Sequence, residues 1–78
     1  MATLDQLKEN ESGIILNISD EQLAVQLLAM GFILGEQVRL ERVAPLHDPI
    51  IVSSGTNYLS IRKNEAKLIE IDTTNKLN

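Results

Sequence analysis

Apolar and polar positions alternate along this chain with two different periods, and the changes of period mark its elements. In "TLDQLKENESG", residues 3–13, Leu4 and Leu7 anchor one short helical turn with Thr3 as cap and Gln6 three residues on, ending at Ser12-Gly13. "GIILNIS" then alternates as a strand does, with Ile14, Leu16 and Ile18 on one face and Ile15 and Asn17 on the other. In "SDEQLAVQLLAMG" the period lengthens: at about 100° per residue, Leu23, Leu27 and Met30 form one stripe, widened by Ala24 and Leu28. This predicts a helix with Ser19 as N-cap and Gln22 completing a capping box, while Asp20 and Glu21 face the positive end of the dipole. Gly31 suits a left-handed stop, and Phe32 is placed to fold back on the last turn.

After a turn at Leu34-Gly35, "EQVRLERV" alternates through Val38 and Leu40 and then skips to Val43, which predicts a bulge near Glu41-Arg42. "PIIVSS" reads as a short apolar strand, "GTN" as a turn, and "YLSIR" as a strand with Leu59 and Ile61 inward. "KNEA" reads as a short turn and "KLIEID" as a last strand carrying Leu68, Ile69 and Ile71. "TTNKLN", residues 73–78, reads as a frayed tail. The expectation is one mainly β, small α+β domain over residues 1–72: five short strands with a helix inserted after the first, curled into a small barrel.

Composition narrows what such a domain does. Charged residues are 23% of the chain and hydrophobic residues 44%, which is globular usage and not that of a disordered segment. The net charge is −4, and among the cations only Arg62 and Lys63 are adjacent, so no basic patch for nucleic acid forms. There is no cysteine, which removes disulfides, thiolate metal sites and cysteine catalysis. No basic n-region and apolar h-region open the chain, and the most apolar run, Leu23 to Leu34, is shorter than the roughly 18 to 20 residues of a bilayer crossing. A soluble, cytoplasmic protein is expected.

Catalysis and cofactor binding find little support in the sequence. His47 is the single imidazole, no Gly-x-Ser-x-Gly surrounds a serine, and the four glycines stand singly at element boundaries, so an enzyme is not expected. His47 and Asp48 are candidate ligands for ferrous iron, manganese or zinc, but neighbours in a turn supply two ligands, and Glu65, Glu41 or Glu70 would have to complete the site. The competing reading is a rigid inter-strand turn, because Pro45 and Pro49 fix φ and bias Ala44 and Asp48 toward extended geometry. The helix offers something else. Val25 and Ala29 lie opposite its core stripe, and with Ile33 and Leu34 they give more apolar surface than one stripe needs, as a partner-binding face does.

The stretch "LLAMGFILGEQVRLERVAPLHDPIIV" followed by "LSIRKNEAKLIEI" resembles the ferrous iron transport protein A family. That family's pattern is a leucine-rich helix ending in Met-Gly, a glycine turn, a strand, Ala-Pro-Leu-Gly-Asp-Pro, and a closing Leu-x-Ile/Leu-Arg-x-x-Glu-Ala. The matches here include Met30, Gly31, Gly35, Ala44, Pro45, Leu46, Asp48, Pro49, Leu59, Arg62, Glu65 and Ala66, while Leu34 and His47 stand where the family usually has proline and glycine. The resemblance implies an SH3-like barrel and a cytoplasmic accessory protein, peripheral to the membrane through its partner, the G-protein transporter ferrous iron transport protein B. Docking would use Val25, Ala29, Phe32, Ile33 and Leu34, or the loop of Pro45, Leu46, Asp48 and Pro49. The alternative it implies is a transition-metal-binding or metal-sensing domain related to the C-terminal module of iron-dependent repressors. Spare apolar surface also allows weak self-association.

Overall fold

The structure is a computed structural model that describes residues 2–73; most of the segment expected to fray, 73–78, lies outside the described residues. Its elements are β1 (Ala2–Thr3), a 3-10 turn (Leu4–Gln6), β2 (Ser12–Ile18), α1 (Glu21–Ala29), β3 (Gln37–Val43), β4 (Ile50–Ser54), β5 (Asn57–Ile61), α2 (Lys63–Ala66) and β6 (Ile69–Asp72). All strand pairs are antiparallel, in the order β1-β6-β2-β3-β4-β5. The sheet thus has six strands and not the expected five. The addition is β1, which pairs Ala2 with Ile71 and Thr3 with Glu70 and is too short to leave a readable alternation.

Two bulges bend this sheet around one core. In β3 the ladder with β4 slips between Leu40 and Arg42, so Glu41 is the extra residue. Leu40 and Val43, three positions apart, then face the same side, with Leu40 buried and Val43 packed against the core, as the skip in the sequence predicts. In β2 the ladder with β6 slips between Ile15 and Asn17, and Leu16 is the extra residue. Ile15 is therefore the core-facing position at 2% exposure, while Leu16 is turned out at 40%. The face on which Ile14, Leu16 and Ile18 were grouped is broken by that bulge, and Ile18 returns to pack on the core.

The helix keeps its place with its cap moved by one residue. Asp20 is the N-cap, its Oδ2 accepting from the Leu23 N–H at 2.9 Å. Ser19, expected there, instead donates its N–H to the Leu68 carbonyl at 2.8 Å, stitching the end of β2 to the approach of β6. At the other end Phe32 N–H reaches the Leu27 carbonyl at 2.8 Å and Gly31 N–H the Leu28 carbonyl at 3.1 Å. These are the two bonds of a Schellman stop, with Gly31 at φ +89°. "KNEA" is the second correction: it forms the one-turn helix α2 and not a plain turn, and it buries Ala66 completely.

Candidate functional site

α1 reaches the core through Leu23 and Leu27 alone. Met30 and Leu28, expected on the core stripe, are exposed at 48% and 59% and line the two flanks of the helix instead. α1 therefore stands as a ridge with Val25 on its crest and an apolar groove along each flank. The first groove, about 380 Å³, lies between α1 and β5 and is lined by Leu23, Gln26, Leu27, Ala29 and Met30 on one side and Leu59, Ser60, Ile61 and Glu65 on the other. The second, about 300 Å³, lies between α1 and β2, with Leu28, Ile33 and Leu34 at its mouth and Phe32 in its floor.

The partner-binding set read from the sequence is thereby divided. Ile33 and Leu34 sit together at the second groove, Ala29 belongs to the first, and Val25 lies between them. Phe32 is buried to 2% exposure, so it shapes the second groove from below and is not a free contact residue. Missing from that set were Leu28 and Met30, assigned inward by helical period, and Leu59, Ser60 and Glu65. No pattern within α1 could announce that β5 lies beside it.

The proline loop is a turn in structure. The His47 N–H donates to the Ala44 carbonyl at 2.7 Å across Pro45 and Leu46, and the Ala44 N–H donates to the Pro49 carbonyl at 3.0 Å. Pro45, Leu46, His47 and Asp48 are exposed and Pro49 is half-buried. His47 has φ +70°, a left-handed conformation that glycine adopts freely and His tolerates better than most residues. That is a physical reason for the glycine that the resemblance puts at this position. His47→Gly is expected to leave stability unchanged or raise it by up to about 1 kcal/mol, since relief of the left-handed penalty is offset by chain entropy; urea denaturation reads this directly.

Asp48 has a structural task. Its Oδ1 accepts from the Lys63 N–H at 2.9 Å, so the loop between β3 and β4 caps the first turn of α2 from outside that helix. Asp48→Ala is expected to cost about 0.5–2 kcal/mol, the usual worth of a helix cap, visible as a lower denaturation midpoint and faster exchange of the Lys63 amide.

The carboxylates nominated to complete a metal site are dispersed. Glu65 Oε1 accepts from the Arg62 N–H at 3.3 Å. Glu41 accepts from the Ser53 hydroxyl at 2.5 Å and pairs with Arg39 at 3.4 Å, and Glu70 lies on β6 opposite Thr3 and Asn17. Among the described residues no three His, Cys, Asp or Glu side chains converge as a metal site requires. The set proposed around His47 and Asp48 does not fit a resident metal ion.

A six-stranded antiparallel sheet, bent by two bulges and carrying an apolar helix between its first two long strands, defines a small SH3-like domain. The family model described as the FeoA domain matches residues 2–73, and the chain belongs to that family. It is 31% identical over 71 residues to a Campylobacter jejuni protein named "Putative Fe(2+) transport protein A", covering 90% of this chain and 96% of that one. Its fold matches the FeoA protein of Chlorobium tepidum at a TM-score of 0.86 and 27% identity, over 92% of this chain and 70% of that chain. It also matches Stenotrophomonas maltophilia FeoA complexed with zinc, described as a procaryotic SH3 domain protein, at 0.79 and 28% identity, over 92% of this chain and 91% of that one. A manganese-dependent transcriptional repressor shares the fold alone, at 17% identity and a TM-score of 0.81, over 92% of this chain and 36% of that one. No helix among the described residues is long and apolar enough to cross a membrane.

Proposed function

We propose that this protein is a cytoplasmic accessory factor of ferrous iron uptake that docks on the membrane transporter ferrous iron transport protein B through the second groove. The family's link to Fe(2+) transport supports the process, and the cluster of exposed Leu28, Ile33 and Leu34 at that groove is the observation that carries the docking. Such a cluster leaves apolar surface in water that a partner would cover, each large side chain adding about 1.5–3 kcal/mol when fully buried. Iron in this reading is the transporter's cargo. Leu34→Glu places a charge at the groove mouth without touching the core, and is expected to weaken binding to the purified transporter or its G domain by about tenfold or more. Calorimetry with and without GTP and ferrous iron provides the measurement. Wild-type protein that never associates, or a Leu34→Glu variant that binds equally well, overturns the reading. A metal-sensing role would instead require a saturable micromolar site lost in His47→Ala.

A further inference from the structure

The first groove differs from the second in what borders it. Leu59, Ser60 and Ile61 of β5 all line it, although neighbouring side chains of a strand point to opposite faces. Three consecutive residues on one groove mean that it runs along the edge of β5, not over either face. Among the described residues that edge is open: β5 pairs with β4 on one side only and ends the ladder. Across the groove stand Ala29 and Met30 of α1, giving an apolar wall that faces the edge of β5, where alternate residues turn their peptide groups away from β4.

An unpaired edge offers backbone N–H and C=O groups that another extended backbone can pair in place of water, and the apolar trough receives every second side chain of such a segment. β5 spans Asn57–Ile61, about 17 Å of edge, of which Leu59–Ile61, about 10 Å, border the groove. Glu65 lines the groove near Ile61, and its carboxylate is the acidic group there that a cationic side chain of the ligand would meet.

We propose that the groove between α1 and β5 is a peptide-binding site that adds an extended segment of a partner protein to β5 as a further strand. The segment is apolar at alternate positions and carries Lys or Arg against Glu65. This site lies on the flank of α1 away from Leu34 and does not depend on docking at the second groove.

The test selects a phage-displayed library of random short peptides on the whole protein, then titrates the enriched synthetic peptides into labelled protein by NMR. Peptides with alternating apolar residues and a terminal Lys or Arg are expected, shifting amides of Asn57–Ile61 and α1. Methylating alternate backbone nitrogens of the peptide in the pairing register, or substituting Met30→Glu, should weaken binding about tenfold or more. Glu65→Gln should remove the preference for a basic residue, while Leu34→Glu should leave peptide affinity unchanged. Met30 is exposed, so its variant keeps the fold, which circular dichroism checks. The proposal is overturned if no peptide is enriched, if shifts map to the second groove or the proline loop, or if N-methylated peptides of both registers bind undiminished. It is also overturned if the β5 shifts arise on concentrating the protein alone and no peptide displaces them, since the occupant is then a second copy. Transporter binding lost in Leu34→Glu but kept in Met30→Glu separates the two sites.

Discussion

Leu40→Ala is expected to lower the unfolding free energy by about 2–5 kcal/mol, the range for truncating a fully buried leucine where the surroundings cannot collapse into the cavity. Leu40 is 1% exposed, and its backbone is held on both sides: its N–H donates to the Glu11 carbonyl at 2.9 Å and its carbonyl accepts from the Asn10 N–H at 2.7 Å. β3 and the loop that leads into β2 are thereby locked together, which limits relaxation. Small domains sit toward the lower end of the usual range of about 5–15 kcal/mol, so this one change removes a large part of the total. Guanidinium denaturation reads it as a lower midpoint at unchanged slope. Leu16→Ala, a leucine in the neighbouring strand that the β2 bulge turns outward, should cost under about 1 kcal/mol. Equal losses at the two positions would refute the assigned faces.

Gly31→Ala carries the second large effect, about 1–3 kcal/mol, most of it from the backbone and the rest from a steric contact. The backbone at φ +89° penalises any side chain, and a Cβ at this position would lie 2.2 Å from Nδ2 and 3.0 Å from Cγ of Asn57, so that side chain must move. Gly35 supplies the control, because its φ is +87° and no atom lies within 4 Å of its would-be Cβ. Gly35→Ala should therefore show the backbone cost alone, about 1–2 kcal/mol. In the Gly31→Ala/Asn57→Ala pair, thermal denaturation should show recovery of the steric part and retention of the backbone part. A Gly31→Ala variant no worse than Gly35→Ala would mean that the exposed Asn57 amide swings clear without cost.

What the sequence disclosed depended on whether the deciding contact was local. The bulge at Glu41 was legible because Leu40 and Val43 break alternation, and Val38, Leu59 and Ile61 carried the period of two. β2 was not legible in the same way: Ile14, Ile15, Leu16 and Ile18 are all apolar, so only pairing with β6 decides which of them faces inward. Ser19 and Asp20 are both good caps, and the choice between them follows from Ser19 bonding to Leu68, far along the chain. α2 is held partly by Asp48, fifteen residues before Lys63, and four residues have no helical period of their own. The candidate surface followed the same division. Surplus apolar character around α1 was visible, as were Ile33 and Leu34, but the separation into two flanks arises from which strands lie on each side of the helix.

The two ends of the ladder also bear on how this protein behaves while no partner is bound. A sheet grows from copy to copy when a long, flush edge of one molecule meets that of another. One terminal strand here, β1, has two residues, about 7 Å of edge. The other, β5, runs beside α1, whose Ala29 and Met30 stand across the groove from it. The short β1 and the helix beside β5 both shorten the flush edge that a second sheet could meet, which limits sheet-to-sheet growth while leaving room for a single added strand.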